Sequence, residues 1–119
     1  MVDKQLKITV KRVLFICSQN KLRSPTAEKV FGNHPDLEVM SAGLNPDAVN
    51  ILTPELVLWS EVIFVMEKAH KNRLQRKFKQ YLNKQRIICL GIPDDYEFMD
   101  PELVSRLKAM VPKLLGITL

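Results

Sequence analysis

Only two cysteines occur in the 119 residues, Cys17 and Cys89, so a disulfide-held scaffold is excluded. With so little sulfur, a reduced, cytoplasmic protein is expected. No apolar run approaches the roughly 20 residues that a membrane-spanning helix needs. Met1 to Lys11 lacks the apolar centre of a secretion signal, and neither signal nor anchor is expected there. Internal repeats, linkers and low-complexity segments are also missing. The length suits one domain with one core over residues 1–119. Residues 1–11 are read as a short basic lead, in which Leu6 to Val10 alternate and could extend as a strand or remain a loose tail. Charge of one sign is not strongly in excess. The net charge of +5 fits an anionic substrate but also an ordinary globular surface.

What is present is an alternation of short apolar runs and amphipathic stretches. Val13 to Cys17, Leu37 to Ser41, Val62 to Val65 and Ile87 to Leu90 read as strands. Glu38 interrupts the second and marks it as an edge, and Ser41-Ala42-Gly43 is expected to turn out of the sheet. Pro25 to Gly32 reads as a helix with Ser24 as its N-cap and Ala27, Val30 and Phe31 on one face. Thr53-Pro54-Glu55 starts a short helix reaching about Trp59. Glu67 to about Leu82 forms a third, with Leu74, Phe78, Tyr81 and Leu82 inward. Its outer face carries Lys68, Lys71, Arg73, Arg76, Lys77 and Lys79, a pattern read as solvated. Asp100-Pro101-Glu102 opens the last helix, whose stripe runs from Leu103 to Leu115 with Pro112 expected to kink or end it. Strand and helix alternate four times, which predicts an α/β fold with a small parallel sheet covered by helices. Ligands of such sheets bind beyond the carboxyl ends of the strands, here Cys17, Ser41, Met66 and Gly91.

The first of those ends carries distinctive chemistry. Cys17-Ser18-Gln19-Asn20-Lys21-Leu22-Arg23-Ser24-Pro25 links a buried strand to a helix start. Such a loop turns backbone N–H groups toward one spot and makes an anion cradle. A thiol within it is favoured as thiolate, the nucleophilic form. Arg23 is always charged, and its planar fork matches two oxygens of a phosphate. Ser24 can donate to the thiolate. Cleavage of a phosphate ester by that thiolate requires a proton donor for the leaving alcohol. The loop after the fourth strand offers Asp94, with Asp95 as the competitor and Tyr96 placed to flank the leaving group. Cys89, inside an apolar run, is expected to be a buried small hydrophobe. His34 and His70 are expected at the surface or in caps.

The chain resembles the low-molecular-weight protein tyrosine phosphatases, most closely a short bacterial branch described only as predicted tyrosine phosphatases. The residues that carry the resemblance are the Cys17 to Pro25 loop, Ala27 and Glu28 in the helix that follows, Ser41-Ala42-Gly43 and Ile92-Pro93-Asp94-Asp95-Tyr96. It implies a three-layer sandwich with a four-stranded parallel sheet in the order 2-1-3-4, without metal or organic cofactor. It implies Cys17 as nucleophile, Arg23 as binder of phosphate and transition state, and Asp94 as general acid. Ser18, Gln19, Asn20, Lys21, Leu22, Arg23 and Ser24 would surround the phosphate. Asn20, Ser24, Ser41, Asp95 and Tyr96 would support the site, Asn20 through Ser41.

The sequence departs from that family at Gln19, where glycine is usual. Leu22 stands where a second loop cysteine is usual, so no disulfide can form within the loop. Asp95 replaces a proline, and the segment after Gly43 lacks the family's long insertion.

The expected activity is phosphomonoester hydrolysis, acting on phosphotyrosine through a cysteinyl-phosphate. The expected partner is a phosphorylated protein or a small phosphomonoester, and inorganic phosphate or sulfate should fit the loop. Nucleic acid and membrane are not expected partners. The alternatives are a non-catalytic oxyanion-binding module and, further off, arsenate reduction, which needs additional redox cysteines.

Overall fold

The computed structural model describes residues 10–119. The alternating segment at Leu6 to Val10 lies almost wholly outside them. The core strand is β1 (Lys11–Cys17), flanked by β2 (Leu37–Gly43) and β3 (Val62–Val65), with β4 (Arg86–Cys89) beyond β3. All pairings are parallel and the order is β2-β1-β3-β4. The helices are α1 (Arg23–Phe31), α2 (Pro54–Trp59), α3 (Lys68–Lys77) and α4 (Pro101–Leu115), with a 3₁₀ turn at Lys79–Tyr81.

Strand parity decides which helices cover which face. Val13, Phe15 and Cys17, with Val62 and Phe64, point to the side of α1 and α4 and meet Ala27, Phe31, Leu103, Leu107 and Val111. Leu14, Ile16, Ile63 and Val65 point the other way, onto Val57 of α2 and Leu74 of α3. Phe15 stacks on Phe64 at 5.2 Å and on Phe31 at 5.9 Å, tying two strands to α1.

Local signals account for most helix ends. Thr53 Oγ1 accepts from the Leu56 amide at 3.2 Å, and Pro54 takes the first helical position. Asp100 accepts from the Glu102 amide at 2.8 Å ahead of Pro101. Gly116, at φ +70°, closes α4 in the left-handed region that suits glycine.

Several expectations are corrected. Ser24 is not an N-cap: α1 starts at Arg23 with Leu22 before it, and no side chain caps it. Ser41, Ala42 and Gly43 stay in β2 because they pair with Phe15, Ile16 and Cys17. The third helix ends at Lys77 rather than about Leu82. Residues Pro112 to Leu115 remain helical, so the proline does not cut α4 short. Cys89 is exposed, not buried, because it ends an edge strand in which Ile87 and Ile88 are only partly covered and Arg86 is exposed. Among the described residues, no helix is long and apolar enough to cross a membrane.

Candidate active site

β1 leads into α1 on one face, while β3, its neighbour, leads into α3 on the other. The two loops part between adjacent strands and leave a crevice, where sheets of this kind bind ligands. The crevice holds a cavity of about 320 Å³ lined by Cys17, Ser18, Gln19, Lys21, Leu22, Arg23, Asn45 and Asp94.

The loop owes its shape to the backbone that follows β2. The amides of Leu44, Asn45 and Val49 donate to the carbonyls of Cys17, Ser18 and Gln19 at 3.1, 2.9 and 3.0 Å. Each trans peptide holds its N–H opposite its carbonyl, so the amides of Ser18, Gln19 and Asn20 are turned the other way. The Asn20 amide accordingly donates to Cys17 Sγ at 3.3 Å. Asn20 adopts φ +56°, a left-handed conformation that asparagine tolerates better than most residues. Gly43 must lack a side chain: a Cβ there would sit 2.6 Å from the Ser18 carbonyl oxygen and 3.0 Å from the Asn20 nitrogen.

A buried polar network aims a second donor at the sulfur. Asn20 Nδ2 donates to Ser24 Oγ at 2.8 Å and to Ser41 Oγ at 2.9 Å. The Ser41 hydroxyl in turn donates to the Glu28 carboxylate. Ser24 Oγ is thus occupied as acceptor and keeps its proton for Cys17 Sγ, 3.0 Å away. The sulfur thus faces two groups able to donate to it, the Asn20 amide and the Ser24 hydroxyl. Asn20 and Ser24 therefore stand behind the loop rather than in the cavity, and all members of the network except Glu28 are buried.

Arg23 is held before any ligand arrives. Its Nη1 donates to the Glu67 carboxylate and to the Ile92 carbonyl at 2.8 Å, and its Nε lies 3.7 Å from Asp94 Oδ1. The guanidinium is almost fully buried, so these partners offset its desolvation. The Ile92 bond also sets the register of the loop that carries Asp94. Asp94 lines the cavity, and Asp95, though exposed, does not. Tyr96 does not flank the cavity. Its ring is buried in the apolar layer under α4, where its hydroxyl donates to Glu102 at 2.9 Å. That hydrogen bond, with burial, pushes the phenol's pKa up.

Glu67 and His70 were not singled out as site residues from the sequence. Both sit just past the end of β3, and the rule that ligands gather beyond strand ends would have flagged Glu67. His70 is buried. Its Nδ1 accepts from the Glu67 amide at 3.1 Å and its Nε2 lies 3.0 Å from Ser18 Oγ. Accepting at Nδ1 puts the proton of the neutral ring on Nε2, which donates to Ser18. Burial, reinforced by Arg23 and opposed by Glu67, holds its pKa below the ordinary 6.5, so the ring stays neutral. His34 does remain near the surface, bonded to the Thr118 carbonyl at 2.7 Å. Among the described residues, no group of three His, Cys, Asp or Glu is placed to hold a metal ion.

No family model and no curated protein matches the chain. Solved structures do. The YwlE arginine phosphatase from Geobacillus stearothermophilus is 22% identical, with a TM-score of 0.71 over 89% of this chain and 94% of that one. The tyrosine phosphatase Wzb from Escherichia coli K30, in complex with phosphate, is 19% identical, with a TM-score of 0.72 over 91% and 98%. The Erwinia amylovora tyrosine phosphatase AmsI is 23% identical, with a TM-score of 0.72 over 91% and 93%. A low-molecular-weight protein tyrosine phosphatase from Streptococcus pyogenes is 18% identical, with a TM-score of 0.69 over 88% and 93%. With its parallel sheet in the order 2-1-3-4, the chain has the fold of the low-molecular-weight protein tyrosine phosphatases.

Proposed function

We propose that the chain hydrolyses phosphomonoesters through a cysteinyl-phosphate. The observation that carries this reading is the convergence of Cys17, Arg23 and Asp94 on one cavity, with two donors already aimed at the sulfur. In the first step Cys17 Sγ attacks phosphorus. An S–P bond forms, the P–O bond to the alcohol breaks, and the leaving oxygen takes its proton from Asp94. In the second step Asp94, now a carboxylate, takes a proton from water as the water attacks phosphorus. The S–P bond then breaks, releasing phosphate and the thiolate. Arg23 and the loop amides hold the phosphoryl oxygens while charge shifts among them. The Ser18 hydroxyl, accepting from His70, keeps its own proton for one of those oxygens.

Arsenate reduction is disfavoured by the strand order. Cys89 pairs beside Val65, which pairs beside Ile16. Two strand spacings of about 4.8 Å put Cys89 out of disulfide reach of Cys17.

Turnover of para-nitrophenyl phosphate across pH tests the reading. Turnover should appear in the unmodified, reduced protein, and Cys17→Ser should abolish it. If the reduced protein binds vanadate but releases no phosphate, the chain is an oxyanion-binding module instead. The phosphotyrosine preference implied by the resemblance is a finer matter. The solved neighbours include both tyrosine and arginine phosphatases, so this fold admits more than one leaving group.

A further inference from the structure

The wall on the leaving-group side of the cavity points to a substrate class. The chain has one Trp, two Tyr and five Phe. Phe15, Phe31, Phe64 and Tyr96 lie in the core under α1 and α4, while Trp59, Phe78 and Tyr81 pack on the other face. Phe98 lines a different surface hollow, beside Pro25, Glu28 and Val39. Residues 1–9 contain no aromatic. No aromatic side chain of this protein lines the cavity. Beyond Cys17, Leu22 is the one apolar side chain in the lining, beside Ser18, Gln19, Lys21, Arg23, Asn45 and Asp94.

A flat phenol seated there would lack an aromatic ring to stack against. It would also displace water from polar side chains without replacing those hydrogen bonds. The charges differ in their availability. Arg23 is matched by Glu67 and Asp94. Lys21 is exposed at the mouth and forms no ion pair among the described residues. It can therefore meet a second anion on a substrate whose phosphate sits on the loop. The cavity is at the small end of the roughly 300–1,000 Å³ range for ligand sites, which suits a small molecule.

We propose that the substrate is a small phosphomonoester of a polar, non-aromatic alcohol that carries a second anionic group, bound by Lys21 with Gln19 and Asn45 beside it. The proposal rests on the hydrolase reading for its chemistry, but its test does not depend on turnover. The Cys17→Ser protein is titrated calorimetrically with 3-phosphoglycerate, β-glycerophosphate and phenyl phosphate at one ionic strength. The expected order is 3-phosphoglycerate tightest, by about fivefold over β-glycerophosphate, the upper end for an exposed ion pair. Phenyl phosphate should be weakest. Adding Lys21→Met should bring 3-phosphoglycerate down to the affinity of β-glycerophosphate, removing the roughly fivefold gap between them. Phenyl phosphate binding tightest, equal affinity for all three, or a uniform loss in the Lys21→Met protein would each overturn the proposal. In parallel, phosphate release by the unmodified protein is measured with the same three esters. Release from none of them overturns the hydrolase reading while the binding order still reports on the pocket.

Discussion

The loop after β1 and the loop after β4 are built in opposite ways. Residues 17–24 are held from behind by Asn20, Ser24, Ser41 and Glu28 and from the side by three backbone bonds from residues 44–49. The segment from Ile92 to Asp95 is pinned at Ile92, whose carbonyl meets Arg23 and whose amide meets Met66. Beyond that pin, Asp94 is two-thirds exposed. The contrast suits the two tasks proposed for Cys17 and Asp94. A nucleophile and its anion cradle work best when every dipole is already in place. A proton donor must reach a leaving oxygen whose position varies with the substrate, and a less restrained carboxylate can follow it.

That contrast can be broken by substitution. The largest effect is expected for Arg23→Lys. An ammonium cannot serve Glu67, Ile92 and a phosphate in one plane, so vanadate affinity should fall about 100-fold and kcat/KM with it. Because Arg23 pins Ile92, this substitution should also loosen the second loop, seen as faster amide exchange at Ile92. Asp94→Asn should lower kcat about 100-fold on para-nitrophenyl phosphate, within the range for a lost general acid. Asp95→Asn should cost less than about threefold, and the reverse ranking would move the acid to Asp95. Asn20→Ala should combine a kinetic loss of about 30-fold with about 1–3 kcal/mol of stability, since Ser24 and Ser41 lose a buried donor. A purely kinetic effect would show that the network is not structural.

The smallest and most specific effect is expected at His70. In His70→Asn the short side chain can still accept from the Glu67 amide but cannot span to Ser18. A loss of about fivefold in kcat/KM should therefore accompany less than about 1 kcal/mol of destabilisation. The histidine also has a pH signature. Its pKa in the folded chain is lowered below 6.5, so as pH falls below that value the unfolded chain takes the proton first. Its contribution to stability is thus complete above 6.5 and declines as pH falls through the window beneath it. Denaturant midpoints measured from pH 7.5 to 5 should show this decline in the unmodified protein and a shallower one in His70→Asn.

Much of the architecture was legible along the chain. The four apolar runs appear as four strands, and Glu38 correctly marks β2 as an edge. Thr53-Pro54 and Asp100-Pro101 start helices as their side chains dictate. Ser24-Pro25 follows the same pattern and misleads, because the Ser24 hydroxyl is drawn to Cys17 and Asn20 instead of the helix end. Cys89 misleads similarly. Its neighbours are apolar, but an edge strand leaves part of such a run open whatever its composition. Tyr96 stands beside Asp94 and Asp95 in sequence, yet an aromatic ring that can reach the core gains more there than at a polar rim.

By itself, the sequence determined the local chemistry: which segments pair or coil, and that one loop brings thiol, guanidinium and serine together within eight residues. Only the tertiary structure decided what surrounds that loop. It placed Glu67 on Arg23, His70 on Ser18, Ser41 and Glu28 behind Asn20, and kept every aromatic away from the cavity. The physical reason is separation along the chain. These partners lie from 13 to 52 positions from the residues they touch, and they meet because β1 is flanked by β2 and β3 in a parallel sheet whose loops open on one rim.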